Sequence, residues 1–153
     1  MIWGIDLGVR SVHIAGLDGE DLVYVESIET PKRVVRSLEL GTLGKRVTEF
    51  IDPEDDVFVE KPPFAGPRNI ETFGSLHQVY GTMLSHVGGR EANVMTWKHD
   101  VCGDGRADKA AVSRWLEDHH PLYSHQCVKD QNKVDAVCIA LYGKLVIARA
   151  GVL

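Results

Sequence analysis

The sequence predicts an α/β chain built on a mixed five-stranded sheet flanked by helices. Three observations carry this reading. Three short β-rich runs open the chain with only turns between them, strands and helical stretches alternate afterwards, and Val57-Phe58-Val59 is a continuous apolar run of the kind found in buried parallel strands. The meander gives antiparallel neighbours and the crossovers give parallel ones.

The first run is Ile2 to Leu7 and the second Ser11 to Leu17, joined by Gly8-Val9-Arg10. The turn Asp18-Gly19-Glu20 leads to the third, Leu22 to Ile28. Thr30 can cap a helix with Pro31 in its first turn, and Val34, Val35, Leu38, Leu43, Val47 and Phe50-Ile51 recur at helical spacing up to Asp52-Pro53. Gly41 and Gly44 weaken or bend that helix. The apolar strand follows and Glu60 ends it. A Pro/Gly-rich loop, Lys61 to Arg68, then leads to a helix that Asn69 can cap, with Ile70, Phe73, Leu76, Val79-Tyr80, Met83-Leu84 and Val87 as its apolar stripe. Asn93 to Trp97 reads as a strand, Gly103-x-Gly105 as a loop, Ala107 to Glu117 as a third helix, His119-His120-Pro121 as a loop, and Gln131 to Arg149 as the last helix.

A chain of 153 residues that is 44% hydrophobic and 25% charged has the composition of one compact domain, expected to span 1–153. The net charge of −5 argues against a protein that coats nucleic acid or anionic lipid by bulk charge. Residues 1–76 carry 8 basic and 14 acidic side chains and residues 77–153 carry 9 and 8, so a polyanion site should draw on the second half. No apolar run approaches the ~20 residues of a membrane helix, and Asp6 follows too soon after Met1 for a signal peptide. A soluble, cytoplasmic protein of a bacterium or a phage-infected cell is expected. Cys102, Cys127 and Cys138 form no C-x-x-C pair and read as reduced packing residues.

The chemistry concentrates in three carboxylates. Asp6 sits at the end of an apolar strand, Glu60 ends the buried strand, and Asp135 lies among Val134, Ala136, Val137 and Cys138 early in the last helix. Each alone is an ordinary strand-end or helix-face acid. Together on apolar elements they would cost several kcal/mol to bury unless a cation neutralised them. Oxygen ligands select a hard ion, Mg²⁺ with Mn²⁺ as substitute, and two ions about 3.5–4 Å apart would suit phosphodiester cleavage. Asn132, three residues before Asp135 on the same helix face, is able to add an amide oxygen to a cation, to orient Asp135, or to serve as a helix N-terminal polar residue.

From Lys98 to Arg114, Lys98, Arg106, Lys109 and Arg114 alternate with Asp100, Asp104 and Asp108, a mixed solvated face by composition. Gly103 and Gly105 let the backbone approach a phosphate ahead of a helix N-terminus. Arg10, after Asp6, and Arg68 are further candidates for phosphate contacts. The cluster His119-His120-x(4)-His125-x-Cys127 matches no usual structural zinc spacing.

The strand Gly4-Ile5-Asp6-Leu7-Gly8-Val9-Arg10, the strand-end Glu60, the segment Lys98-x(4)-Gly103-x-Gly105-x-Ala107-Asp108-Lys109 and the helix Asn132-Lys133-Val134-Asp135 resemble the RuvC Holliday junction resolvases, from residue 2 to about residue 148. The resemblance implies an RNase H-like (ribonuclease H-like) fold and a homodimer that cuts branched DNA with divalent metal. It implies Asp6, Glu60 and Asp135 as metal ligands and catalytic acids, and Lys98 and Lys109 beside the scissile phosphate. Where the family has an acid or a histidine, this chain has Asn132, which compensates less cationic charge. The family's junction-wedging aromatic has Phe64 as its nearest counterpart, and Phe73 is the other candidate.

Four functions compete on these residues. The first is resolution of four-way (Holliday) or other branched DNA in recombination, repair or replication, for which the resemblance implies 5′-phosphate and 3′-hydroxyl ends. The second is another RNase H-like nuclease, such as the YqgF type that processes RNA. An actin/Hsp70/sugar-kinase domain would need more than twice this length, so no nucleotide cofactor is expected. A non-catalytic junction-binding module is the fourth, and retention of all three acids argues against it. The second helix, through Leu76, Tyr80, Met83 and Leu84, is expected to contribute to the dimer interface.

Overall fold

The computed structural model describes residues 1–29, 36–62 and 70–151. Its strands are β1 (Ile2–Leu7), β2 (Ser11–Asp18), β3 (Asp21–Glu29), β4 (Asp56–Lys61) and β5 (Arg90–Asn93), hydrogen-bonded in the order β3-β2-β1-β4-β5. β1 to β3 form an antiparallel meander, β4 joins β1 in parallel, and β5 joins β4 in parallel. This is the mixed sheet expected from the order of the elements. The helices are α1 (Arg36–Thr48), α2 (Ile70–Val87), α3 (Val94–Cys102), α4 (Lys109–His119), α5 (Pro121–Gln126) and α6 (Gln131–Arg149).

Side-chain alternation along the strands splits the core in two. Trp3, Ile5, Val12, Ile14, Val57 and Val59 pack against Leu43 and Val47 of α1 and Val79 and Met83 of α2. On the opposite face Ala15, Leu17, Phe58 and Ala92 pack against Trp97 of α3, Leu116 of α4 and the buried side of α6. Gly4 belongs to that second face, and a Cβ there would lie 2.2 Å from the Ala136 carbonyl oxygen and 2.3 Å from the Ala140 nitrogen. Only glycine allows α6 to rest its backbone on β1. The same alternation aims Asp6, two residues on, at the start of α6.

Two expected elements are corrected. Asn93 to Trp97 is not a strand, because β5 ends at Asn93, whose side-chain oxygen accepts from the Met95 and Thr96 N–H groups and so caps α3. Trp97 and Val101, one turn apart, then form the buried stripe of that helix. The His119-His120-Pro121 loop is instead a helix junction, with Pro121 opening the short α5. There Trp115 stacks on His119 at 4.6 Å and His120 on Tyr123 at 4.9 Å, which gives the clustered histidines ring partners.

Met83 is fully buried, and Tyr80 and Leu84 pack against the core while staying partly exposed, so of the four α2 residues expected to meet a second subunit Met83 is spent inside the chain. Thr30, Pro31, Val34, Val35 and Asn69 lie outside the described residues, as do Phe64 and Arg68. All three cysteines are free, with Cys127 and Cys138 buried. No helix among the described residues is long and apolar enough to cross a membrane.

Candidate active site

Asp6 and Glu60 stand side by side because β1 and β4 run parallel in register from Ile2 opposite Asp56 to Ile5 opposite Val59. Both point to the face on which α6 lies, and Asp135, one residue before the Ala136 carbonyl that overlies Gly4, completes a trio. Asp6 is only 7% exposed. Burial, followed by the charges of Glu60 and Asp135, pushes its carboxyl well above the ordinary range. Burial and then Asp135 raise Glu60 to about 7, and burial raises Asp135. Asp6 and Glu60 keep their protons through burial and neighbouring negative charge, and Asp135 through burial, so the three are a poorly compensated set of oxygens.

Each acid is held by a protein donor. The Leu7 N–H serves Asp6, the Trp97 Nε1–H donates to Glu60 Oε2 at 3.2 Å, and the Gln131 Nε2–H donates to Asp135 Oδ1 at 3.2 Å. No group of three or more His, Cys, Asp or Glu side chains among the described residues is already arranged to hold a metal ion. The chemistry of the donor set nevertheless fits one: hard carboxylate oxygens, buried at Asp6 and half-buried at Glu60 and Asp135, at the ends of two strands and a helix suit Mg²⁺ or Mn²⁺. Asp6, Glu60 and Asp135 are the residues that would hold it. Asn132 lies on the next position after Gln131, and its backbone N–H donates to Asp130 Oδ1, the cap of α6, at 3.0 Å.

Lys109 is the cation whose charge reaches all three acids, lowering Asp6, Glu60 and Asp135. The glycine-containing segment before it builds its platform. Gly103, at φ +80°, closes α3 as its left-handed cap and returns its N–H to the His99 carbonyl. Gly105 packs against the Met95 carbonyl, Ala107 is buried, and Asp108 caps α4 by accepting from the Ala111 N–H at 2.8 Å. Lys98 spans the segment: its Nζ donates to the Ala107 carbonyl at 2.8 Å and lies 5.6 Å from the Trp97 ring centre. It also lowers Glu60 and Asp135 by charge. Expected as a DNA contact, Lys98 here fastens the loop that presents Lys109, whereas Arg106 stands exposed on that loop. Asp108→Ala should therefore cost about 1 kcal/mol and lower the melting temperature by roughly 2–4 °C, as calorimetry would show.

Arg10 is tied down as well. Its guanidinium meets Glu39 Oε1 of α1 at 3.0 Å, and Glu39 is almost wholly buried. The pair pins the β1–β2 turn beside Asp6 to α1, a structural duty beyond the DNA contact expected of Arg10. Phe64 and Arg68 bear on no contact described here, since both lie outside the described residues.

Four residues near the acids escaped the sequence reading. His13, directly opposite Asp6 in the β1–β2 register, is buried between Ser27 Oγ at 2.9 Å and Ser11 Oγ at 3.2 Å, and burial lowers its pKa. Its signal was a lone polar residue at an inward position of an apolar strand. Trp97 reads from the sequence as the end of a strand, and once buried its indole N–H needs a partner. Gln131 precedes Asp135 by four residues, a spacing that pairs side chains on a helix, and Ser113 Oγ donates to Gln131 Oε1 at 2.6 Å.

Charge is distributed along the strands. The Asp18–Asp21 turn and the Asp52–Asp56 loop fall at the end of the sheet away from Asp6, since Ile2 pairs with Leu17 and Asp56 while Asp6 pairs with His13. Glu29, opposite Ser11, lies at the near end.

No family model matches this sequence, and no curated protein does. Among solved structures the chain resembles Thermus thermophilus RuvC, with a TM-score of 0.71, and T. thermophilus RuvC in complex with Holliday junction substrate, with a TM-score of 0.72. In both comparisons identity is 21%, and the match covers 99% of this chain and 98% of the other. The chain thus has the RNase H-like fold over nearly its whole length.

Proposed function

We propose that the chain is a divalent-metal-dependent endonuclease that resolves four-way and related branched DNA junctions. The observation that supports it most is the convergence of Asp6, Glu60 and Asp135 under the charge of Lys109, on a fold shared with a protein solved on a Holliday junction. Bound Mg²⁺ or Mn²⁺, two ions in the fullest arrangement, would supply Lewis acidity and lower the pKa of the attacking water.

The chain's own residues divide the remaining work. Asp6, Glu60 and Asp135 set the negative pocket that selects a hard cation, and Trp97 and Gln131 hold two of them in place. Lys109 offsets repulsion between this pocket and a phosphodiester. Arg106 on the loop and Lys109 at the start of α4, both exposed, are positioned to contact the DNA backbone, and that contact orients a strand without reading its sequence. A homodimer would let two such sites nick symmetry-related strands, in the cytoplasm where recombining or replicating DNA is found.

Purified protein should cut a synthetic four-way junction in Mg²⁺ at least ~10-fold faster than a linear duplex of the same sequence. Equal cutting of linear DNA, or preference for RNA, would move the assignment to another RNase H-like nuclease, and binding without cutting would make it a junction-binding module. With a net charge of −5, junction binding should weaken with salt less steeply than it would for a basic protein.

A further inference from the structure

We propose that Ser113 and Gln131 form a positioning pair for Asp135, so that α4 sets both the cation and one acid of the site. The proposal rests on the nuclease reading above. α4 begins with Lys109, and Ser113 follows one turn later on the same helix face. The Ser113 hydroxyl donates to Gln131 Oε1 at 2.6 Å, and Gln131 Nε2 donates to Asp135 Oδ1 at 3.2 Å. The chain of bonds therefore runs from α4 across to the first turn of α6 and ends on a carboxylate oxygen.

Its direction is fixed by the chemistry of its ends. A carboxylate only accepts, so the amide must turn its NH₂ toward Asp135 and its oxygen away. Turned over, Gln131 would set Oε1 against the carboxylate, and two acceptors would face each other. The serine hydroxyl can donate to that averted oxygen and so holds the amide in its useful orientation. Gln131 is also the first residue of α6, where a side chain without such a tether has wide rotamer freedom. The pair thereby restrains Asp135 Oδ1 and leaves its other oxygen available to a cation. Partners of this kind behind a metal-binding carboxylate typically change affinity or activity by 10–100-fold when removed.

Ser113→Ala, Ser113→Thr and Gln131→Ala separate this role from mere packing. Mn²⁺ binding to the DNA-free protein would be followed by calorimetry, junction affinity in Ca²⁺ by gel shift, and kcat and KM on the junction in Mg²⁺. Ser113→Ala and Gln131→Ala should each weaken Mn²⁺ and lower kcat by roughly 10-fold, with KM and junction affinity within twofold of the parent. Ser113→Thr, which keeps the hydroxyl, should recover kcat and Mn²⁺ affinity to within about threefold. The proposal is overturned if both truncations hold Mn²⁺ affinity and kcat within twofold, if the threonine variant is as poor as the alanine, or if the parent binds no Mn²⁺. A parent that binds Mn²⁺ but cuts no junction would refute the nuclease reading alone, and Mn²⁺ affinity would still judge the pair.

Discussion

Asp6→Asn yields a protein that binds a four-way junction and does not cut it. Asparagine keeps the size and one oxygen of Asp6, so β1 and its contact with α6 survive, and the loss falls on charge. Asp6 is the most deeply buried acid of the trio, and Glu60 and Asp135 both press on it. Removing its charge takes away a ligand oxygen at the centre of the site, and the rate should fall at least ~10³-fold, or about 4 kcal/mol in the barrier. Junction affinity in Ca²⁺ should stay within a few-fold, because the exposed Lys109 and Arg106 are untouched. A rate within tenfold of the parent in a labelled-junction assay would remove Asp6 from the chemistry.

In metal-free protein, Glu60→Gln should be more stable than the parent at pH 8 and lose that advantage by pH 5. Folded Glu60 keeps its proton up to about pH 7, whereas the unfolded chain releases it near the ordinary value of 4.5. Between those values the folded state binds more protons, so stability falls as pH rises through the window. Burial shifts Asp6 and Asp135 in the same direction, and the charges of Glu60 and Asp135 add to the shift of Asp6. A shift of this size is worth up to about 3 kcal/mol for Glu60, or roughly 6–10 °C in melting temperature for a chain of this length. Comparing variant with parent cancels the opposing term from His13, which is buried in its neutral form and must charge at low pH. Millimolar Mg²⁺ should raise the parent's melting temperature at pH 8 and leave Glu60→Gln much less changed. A variant-minus-parent difference that is flat from pH 5 to 8 would show that the acids do not share a common field.

The sheet and the trio were legible in the sequence because both follow from local pattern. β1 and α6 have the bounds their periodicity predicts, and an acid at an inward strand position marks a site wherever the strand lies. α3 was missed because Val94-Met95-Thr96-Trp97 has strand composition, and one residue, Asn93, turns it into a capped helix. The partners of the acids were harder to see. Trp97 meets Glu60 across 37 residues and Ser113 meets Gln131 across 18, separations no periodicity encodes. Gln131 was readable at its four-residue spacing from Asp135, but Asn132 on nearly the same face drew attention from it. Lys98 was read as a phosphate contact, and only its bond to the Ala107 carbonyl shows that it also holds the loop carrying Lys109.

The claim beneath all of this is that Asp6, Glu60 and Asp135 are the ligands of a divalent cation. Anomalous diffraction at the manganese edge, from crystals soaked in millimolar Mn²⁺, tests it most directly. The account predicts a peak within coordination distance of carboxylate oxygens from all three residues, and its loss in Asp6→Asn crystals treated in the same way. A peak seated elsewhere, or none at all in crystals of protein that cuts junctions in Mn²⁺, would contradict it.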